Sequence, residues 1–208
     1  MFTGIIQAQG NIQEIRESNK GAVFVLNSNS LDLSDVSIGD SIAVNGVCLT
    51  VTQLDKNSFS SDVSQETLNC STFSQLKKGQ NINLEKSLRL NQGIDGHLVS
   101  GHVDGVGEVV SLQKEGESTR LLIKVNKDLS KYIAKKGSIC INGVSLTVNA
   151  VETDFFDVNI VPHTLSVTNL GELIENSRVN IEIDIIARHI EQLISHESTT
   201  GIDISTPK

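Results

Sequence analysis

Reactive side chains occur twice in this chain within one short motif, Asn-Gly-Val-X-Leu-Thr-Val. The motif spans residues 45–51 and again residues 142–148, and position X is a cysteine in the first copy and a serine in the second. Alternate side chains of a strand share a face, so X and the threonine two positions later would lie side by side. The side chains of these two faces are Cys48, Thr50, Ser145 and Thr147. A thiol or hydroxyl held in this way can add to an electron-poor carbon or relay a proton, although a polar face turned to solvent would give the same pattern.

A second group of chemically useful residues lies in the segment 96–105, Gly-His-Leu-Val-Ser-Gly-His-Val-Asp-Gly. Its histidines, His97 and His102, suit acid–base catalysis because imidazole titrates near neutral pH. A metal site is disfavoured because no compact third ligand accompanies the two histidines. A phosphate-binding loop is disfavoured because neither a helical pattern nor a Lys-Ser/Thr pair follows the glycines. The structural alternative is a glycine-rich turn whose histidines are merely exposed or hydrogen-bonded.

A third group follows a predicted strand in each half of the chain. Residues 62–67 read Asp-Val-Ser-Gln-Glu-Thr, and residues 159–164 read Asn-Ile-Val-Pro-His-Thr. Capping of a short helix by Asp, Ser or Thr is the structural interpretation. The functional interpretation is a set of donors for a polar heterocycle or a sugar alcohol. Because basic residues are sparse around all three groups, an unphosphorylated ligand is favoured over a nucleotide.

These groups occur in pairs because the chain contains an internal repeat with an offset of 97 residues. Six separate segments keep that offset, which makes chance similarity a poor explanation. Besides the Asn-Gly motif, the matched positions include Thr3-Gly4 with Ser100-Gly101, Gly10 with Gly107, Phe59 with Phe156, Thr67-Leu68 with Thr164-Leu165, and Asn83 and Glu85 with Asn180 and Glu182. The copies differ where chemistry would differ, since His102 stands where the first copy has Ile5.

The elements that would position these residues are short β-strands. Residues 22–26 and 121–125 are β-prone runs bounded by polar residues, and strands 42–44 and 47–51 flank Asn-Gly, a strong hairpin signal. We therefore predict an all-β protein with a small barrel or sandwich in each copy of the repeat, followed by a short C-terminal helix. The predicted repeats span 1–97 and 98–194, joined through the glycine-containing segment 88–96 and followed by a tail at 195–208.

The predicted C-terminal helix carries apolar residues at helical spacing, Ile186, Ile190, Leu193 and Ile194. This stripe could be buried against the chain's own barrels or against the helix of another subunit.

Composition excludes several classes of partner and site. The net charge of −8, with acidic and basic residues interspersed, argues against nucleic acid and anionic membranes. No signal peptide or transmembrane stretch is evident. The three cysteines show neither a disulfide framework nor a metal pair, so a cytoplasmic location is expected. With no tryptophan and one tyrosine, a flat ligand would lie mostly against aliphatic side chains and backbone.

Taken together, these segments resemble the riboflavin synthases built from two lumazine-binding repeats. The resemblance runs from Met-Phe-Thr-Gly-Ile-Ile at residues 1–6 to the terminal helix, and includes both Asn-Gly motifs and the Gly-His-Leu-Val-Ser-Gly-His segment. It implies an all-β fold of two tandem six-stranded Greek-key β-barrels, with short helices and a C-terminal α-helix. It also implies a homotrimer held by the C-terminal helices, with each active site between the first barrel of one subunit and the second barrel of a neighbour. It also implies no metal and no redox cofactor, and an association with lumazine synthase as a further partner.

The reaction implied by the resemblance is the dismutation of two 6,7-dimethyl-8-ribityllumazine molecules, in which one gives a four-carbon unit to the other. The roles it implies are proton transfer by His102 beside Ser145 and Thr147, and nucleophilic assistance by Cys48 or Ser145. Phe2 and Thr3 would close over the site, and Asp184 would help to hold it. The implied lumazine contacts are Phe2, Thr3, Gly4, Ile5, Ile6, Cys48, Leu49, Thr50, Asp62, Val63, Ser64, Gln65, Glu66, Thr67, Gly101, His102, Val103, Lys136, Ser145, Leu146, Thr147, Val161, Pro162, His163, Thr164, Leu165, Ser166 and Asp184.

Two other functions fit the same scaffold. A non-catalytic lumazine or flavin carrier would share the fold but lose the histidine segment and parts of the second binding region, whereas both are present here. A pair of barrels binding oligonucleotides or sugars is disfavoured by the acidic charge and the scarcity of aromatic residues.

Overall fold

The computed structural model describes residues 1–18 and 20–200 of the chain. The first six strands, β1–β6, form one closed barrel, with a short helix α1 and a 3-10 turn between β5 and β6. Their bounds are β1 Ala8–Ser18, β2 Gly21–Asn27, β3 Ser41–Val44, β4 Val47–Leu54, β5 Ser58–Ser64, α1 Gln65–Cys70, the 3-10 turn Thr72–Gln75, and β6 Asn81–Lys86. The order around the barrel is β1-β2-β5-β4-β3-β6, and every pair is antiparallel.

The second six strands repeat this arrangement. Their bounds are β7 Gly105–Glu115, β8 Ser118–Lys124, α2 Lys127–Ser130, β9 Ser138–Ile141, β10 Val144–Val151, β11 Phe155–Ile160, α3 Pro162–Val167, the 3-10 turn Asn169–Glu172, and β12 Arg178–Ile183. The order around the barrel is β7-β8-β11-β10-β9-β12, which is the order of the first barrel with six added to each strand number. Because β5 pairs with β2 and β11 pairs with β8, strands that are not their neighbours in sequence, both barrels are Greek keys, and the predicted fold class is confirmed.

Local sequence explains the tight turns and the curvature. Asn45-Gly46 and Asn142-Gly143 have positive φ at both residues, as a two-residue type I′ hairpin requires. Bulges interrupt the register at equivalent places in the two copies, between Ile12 and Glu14 and between Val109 and Ser111. Such bulges increase strand bending and help a short sheet to close. Both predicted hairpins are therefore confirmed.

Each barrel has its own hydrophobic core of inward-facing aliphatic and phenylalanine side chains. A third, smaller cluster lies between the barrels and consists of Phe2, Ala43, Val99 and Cys140. The backbones of Phe2 and Val99 form an isolated antiparallel bridge in this cluster. The two Asn-Gly hairpins also meet, since a Cβ added at Gly46 would lie 2.7 Å from the nitrogen of Gly143. These reciprocal contacts relate the barrels by an approximate twofold axis.

The C-terminal helix α4 comprises Ile185–Thr200. The predicted tail 195–208 therefore begins within this helix, and residues 201–208 lie outside the described residues. The polar side chains of α4 face the chain's own second barrel, where Glu191 bonds to Lys131 and Tyr132, and Arg188 pairs with Asp104. The apolar side chains are instead 51–68% exposed, and they are Ile186, Ile190, Leu193 and Ile194. Of the two expectations for this stripe, burial against the chain's own barrels is wrong.

Candidate active site

The first group of predicted site residues lies on the outer surface of the first barrel. Strands β4 and β5 are neighbours in a register that pairs Val51 with Ser61, and both of these side chains are buried. The side chains that alternate with the buried ones along the two strands therefore point outward on the same side. They are Cys48, Thr50, Asp62 and Ser64, which we call the first face. All are exposed or half-buried. Helix α1 continues from this face, and Ser64 caps it by accepting a hydrogen bond from the Thr67 nitrogen at 3.1 Å.

The second barrel carries an equivalent surface, which we call the second face: Ser145, Thr147 and Asn159, with Val161 at the start of α3. Here the register pairs Val148 with Val158. Lys136 lies beside this face because its nitrogen donates to the Val148 oxygen at 2.8 Å. The predicted capping does not extend to this copy, since Val161 offers no side-chain acceptor and Pro162 opens the helix instead.

The segment that precedes each barrel crosses to the other barrel. We call residues 2–6 the first crossing segment and residues 99–103 the second. The Gly4 oxygen accepts from the Ser145 nitrogen at 2.8 Å, and the Gly101 oxygen accepts from the Cys48 nitrogen at 2.8 Å. The crossing continues into the cores, because Ile6 packs against the second core and Val103 against the first. Each face is therefore composed of strands from one repeat and a segment from the other.

The two crossing glycines meet these faces so closely that no other residue would fit. Gly4 and Gly101 have φ of +77° and +80°, a region that disfavours side chains. A Cβ on Gly4 would lie 2.6 Å from the Ser145 Cβ, and one on Gly101 would lie 2.5 Å from the Cys48 Cβ. Cys48 and Ser145, the two residues that distinguish the motifs, are thus in direct contact with the crossing segments.

A histidine is hydrogen-bonded to the serine of the second face. The Nδ1 atom of His97 lies 2.7 Å from the Ser145 Oγ, and its Nε2 atom is buried without a partner among the described residues. Burial lowers the pKa of His97 below its usual value, and the nearby charge of Asp184 opposes that shift. The imidazole is therefore held mainly in its neutral form, in which a ring nitrogen can accept a proton.

This pairing corrects the role predicted for His102. His102 follows Gly101, which contacts Cys48, so His102 belongs to the first face and does not lie beside Ser145 and Thr147 in its own subunit. The imidazole that contacts Ser145 is His97, which the sequence analysis placed in the histidine segment without giving it a separate role. The crossing of the segments, which no periodicity reveals, is the reason for the difference.

The expectation that Phe2 and Thr3 close over the site is also wrong for the single chain. Phe2 is 0% exposed and packs between the barrels, where its ring supports Gly101. Thr3 is buried as well, and its nitrogen and hydroxyl both donate to a carboxylate oxygen of Glu85, at 2.7 and 2.8 Å. Both residues belong to the first crossing segment and anchor it in the protein interior.

Among the side chains that the structure describes, no group of three or more His, Cys, Asp or Glu residues could hold a metal ion. In the same part of the chain, no helix has the length and apolar character needed to cross a membrane. Cys48, Cys70 and Cys140 are free thiols.

Comparison with known proteins identifies both repeats. The family model described as lumazine binding domain matches residues 3–87 and 100–184. Riboflavin synthase of Photobacterium leiognathi is 48% identical over 194 residues, which cover 93% of this chain and 89% of that protein. Riboflavin synthase of Bacillus subtilis is 38% identical over 194 residues, with 93% of this chain and 90% of that protein covered.

Solved structures agree with these matches. LumP complexed with 6,7-dimethyl-8-(1'-D-ribityl) lumazine superposes with a TM-score of 0.79 at 30% identity, and LumP complexed with riboflavin with a TM-score of 0.80 at 31% identity. Each covers 88% of this chain and 99% of the LumP chain. With a lumazine-binding domain in each barrel and close relatives over almost its whole length, the chain belongs to the lumazine-binding domain family and, within it, to the riboflavin synthases.

Proposed function

We propose that this protein catalyses the dismutation of two molecules of 6,7-dimethyl-8-ribityllumazine, giving riboflavin and 5-amino-6-(D-ribitylamino)uracil. One substrate molecule transfers a four-carbon unit to the other. Because the two reactants are identical and the products together contain all their atoms, the reaction balances without an external oxidant or reductant. The chemistry needed is removal of a proton from the C7 methyl group of one lumazine and addition of a nucleophile at C7 of the other.

The observation that carries this proposal is the duplication of the face. Each barrel presents a hydroxyl- or thiol-bearing strand, a polar turn into a short helix, and a crossing segment from the other repeat. A reaction between two identical molecules needs two similar binding sites, and holding both reactants in position removes most of the entropic cost of their encounter.

The differences between the faces suggest how the work is divided. On the first face, His102 is exposed and follows Gly101, which contacts Cys48, so its imidazole can exchange protons with a bound substrate and with solvent. On the second face, neutral His97 can accept the hydroxyl proton of Ser145, which would make that oxygen a better nucleophile. We assign proton transfer to His102 and assistance of the addition at C7 to Ser145.

The exposure of both faces and of the α4 stripe points to a multisubunit enzyme. Bringing the first face of one subunit against the second face of a neighbour would place two lumazines in contact and exclude water from the reacting atoms. The apolar residues of α4 supply a contact surface for a homotrimer. Three free cysteines suit a reducing cytoplasm, where an association with lumazine synthase would shorten the path of the substrate.

The test is to incubate the purified protein with 6,7-dimethyl-8-ribityllumazine alone and to follow riboflavin by absorbance and chromatography. We expect one riboflavin for every two lumazines consumed. The variant His102→Gln should lower kcat by about a hundredfold or more, as loss of an acid–base group does. Near-normal turnover of this variant would rule out proton transfer by His102. Binding of lumazine with a fluorescence change and no riboflavin would instead identify a carrier.

A further inference from the structure

Two buried carboxylates occupy equivalent positions at the bases of the crossing segments. Glu85 on β6 and Glu182 on β12 are separated by the repeat offset, and each is 3% exposed. Glu85 accepts from the Thr3 nitrogen, the Thr3 hydroxyl and the Gly4 nitrogen at 2.7, 2.8 and 3.0 Å. Glu182 accepts from the Ser100 nitrogen, the Ser100 hydroxyl and the Gly101 nitrogen at 2.7, 2.6 and 3.0 Å.

These carboxylates are costly groups to bury. No ion pair joins either of them to a cation in the described part of the chain. Burial accordingly raises the pKa of Glu85 and of Glu182, and the hydrogen bonds from the crossing segments act in the opposite direction. An aliphatic side chain would fill the same space without this cost. The specific gain from a carboxylate is its two oxygens, which together accept from three donors of a segment that lies outside the strands of both barrels.

The hydrogen bonds continue from Glu182 along the second crossing segment to the backbone of His102. The same oxygen that accepts from the Ser100 hydroxyl fixes the orientation of that hydroxyl, whose oxygen accepts from the His102 nitrogen at 3.3 Å. The neighbouring Gly101 donates to Glu182 through its nitrogen and accepts from Cys48 through its oxygen. The second crossing segment is thus held between its own barrel and the first face. Glu85 holds the first crossing segment against the second face in the same manner, with Ile5 in place of His102.

We propose that Glu85 and Glu182 are positioning residues of the reaction: each fixes the crossing segment of its own repeat so that the segment completes the substrate site on the other barrel. This inference rests on the proposed function for its kinetic consequences. Since the segment fixed by Glu182 carries His102, Glu182 governs the placement of the group that moves the proton. Since the segment fixed by Glu85 carries an apolar residue, Glu85 governs the fit of the substrate on the second face.

The test compares Glu182→Gln with Glu85→Gln. The two variants are matched controls for each other, because in each of them an NH2 group replaces one carboxylate oxygen that accepts from a crossing segment. A glutamine keeps the shape of the side chain, but its NH2 group must face at least one of the N–H donors. For Glu182→Gln we expect kcat to fall roughly tenfold to a hundredfold, the effect of a small displacement of a reacting group. For Glu85→Gln we expect mainly a rise in KM of roughly threefold to tenfold, corresponding to a lost hydrogen bond. Glu152→Gln, an exposed change on the second barrel, should match the wild type.

A purely structural role would make the two variants behave alike, with the apparent kcat lowered in both by a common loss of folded enzyme and with KM unchanged. That result, or wild-type kinetics in both, would overturn the proposal. If Glu182→Gln does not fold, Ser100→Ala removes only the hydroxyl link to His102, and an unchanged kcat in that variant would count equally against it. If the wild type binds lumazine but forms no riboflavin, the proposed function fails separately. The positioning role is then tested by titrating lumazine fluorescence, and unaltered affinity in both glutamine variants would refute it.

Discussion

The chemistry of the two faces depends on a few residues at which the repeats differ. Cys48 corresponds to Ser145, and Ile5 corresponds to His102, so each face has its own reactive group. A further imidazole, that of His97, contacts the second face. It lies in the connection between the barrels, where the chain returns to Ser145. These differences give two similar binding surfaces different protonation chemistry, as a donor and an acceptor of the same molecule require.

The burial of His97 predicts a pH dependence of stability. Because burial lowers its folded-state pKa below the usual 6.5, the unfolded chain takes up a proton first as the pH falls. The unfolded state then binds more protons, so the free energy of unfolding decreases on acidification, by up to about 1.4 kcal/mol per pH unit for one group. We expect His97→Gln to lose this contribution, which urea denaturation at several pH values between neutrality and pH ~5 would reveal.

His189→Gln is the control for this experiment, since it removes an exposed imidazole on α4. It should keep the slope of the wild type. An equally steep loss of stability in His97→Gln would mean that another group causes the acid sensitivity.

At the scale of elements, short-range patterns allowed the strands and hairpins to be predicted. Asn-Gly between β-prone runs identified the two hairpins, and the repeat offset allowed one barrel to be inferred from the other. The crossing segments could not be predicted in this way. Residues 2–6 and 99–103 contain glycine and lack alternation, and their partners are on the other repeat, far away in sequence. The face on which each candidate residue lies therefore depends on contacts that the sequence does not reveal, as the position of His102 shows.

Helix α4 has an unusual orientation that leads to a second prediction. Its polar residues Arg188 and Glu191 bond to the chain's own barrel, while Ile186, Ile190 and Leu193 face solvent. An apolar face of this kind is stabilised when another subunit covers it. We expect Ile190→Glu to convert the proposed trimer into monomers in analytical ultracentrifugation, with the barrels still folded. We also expect kcat/KM to fall by about a hundredfold, because each site of the proposed trimer needs two chains.

Leu90→Glu provides the control for the helix variant, because Leu90 is a fully exposed apolar residue in the connection between the barrels. It should leave the oligomeric state unchanged. A trimer of wild-type stability in Ile190→Glu would show that α4 is not the subunit contact.

At the scale of the whole molecule, the barrels are joined by a buried asparagine network around the approximate twofold axis. Its members are Asn45, Asn83, Asn142, Asn169 and Asn180, together with the backbone of Thr72. Amide side chains suit this position because each can donate to one barrel and accept from the other. The sequence showed that Asn83 and Asn180 are separated by the repeat offset. It did not show that they lie at the junction, because their place in the strand pattern is that of any polar residue.

The network is not symmetric, and this asymmetry makes a third prediction. The side chain of Asn83 makes three hydrogen bonds across the junction, to Asn142 and twice to Asn169, at 2.8–2.9 Å. Among the described residues, the side chain of Asn180 makes two, because the residue equivalent to Asn169 is Thr72, which offers its backbone nitrogen alone. Each buried partner left unsatisfied costs about 1–3 kcal/mol. Asn83→Ala should therefore lower the free energy of unfolding by about 3 kcal/mol or more, and Asn180→Ala by about 1 kcal/mol less than that.

Since the lost bonds are those that couple the barrels, the urea transition should also broaden as the two barrels begin to unfold separately. Equal losses in the two variants, with a single sharp transition in each, would show instead that the barrels are joined mainly by the apolar cluster around Phe2 and Val99.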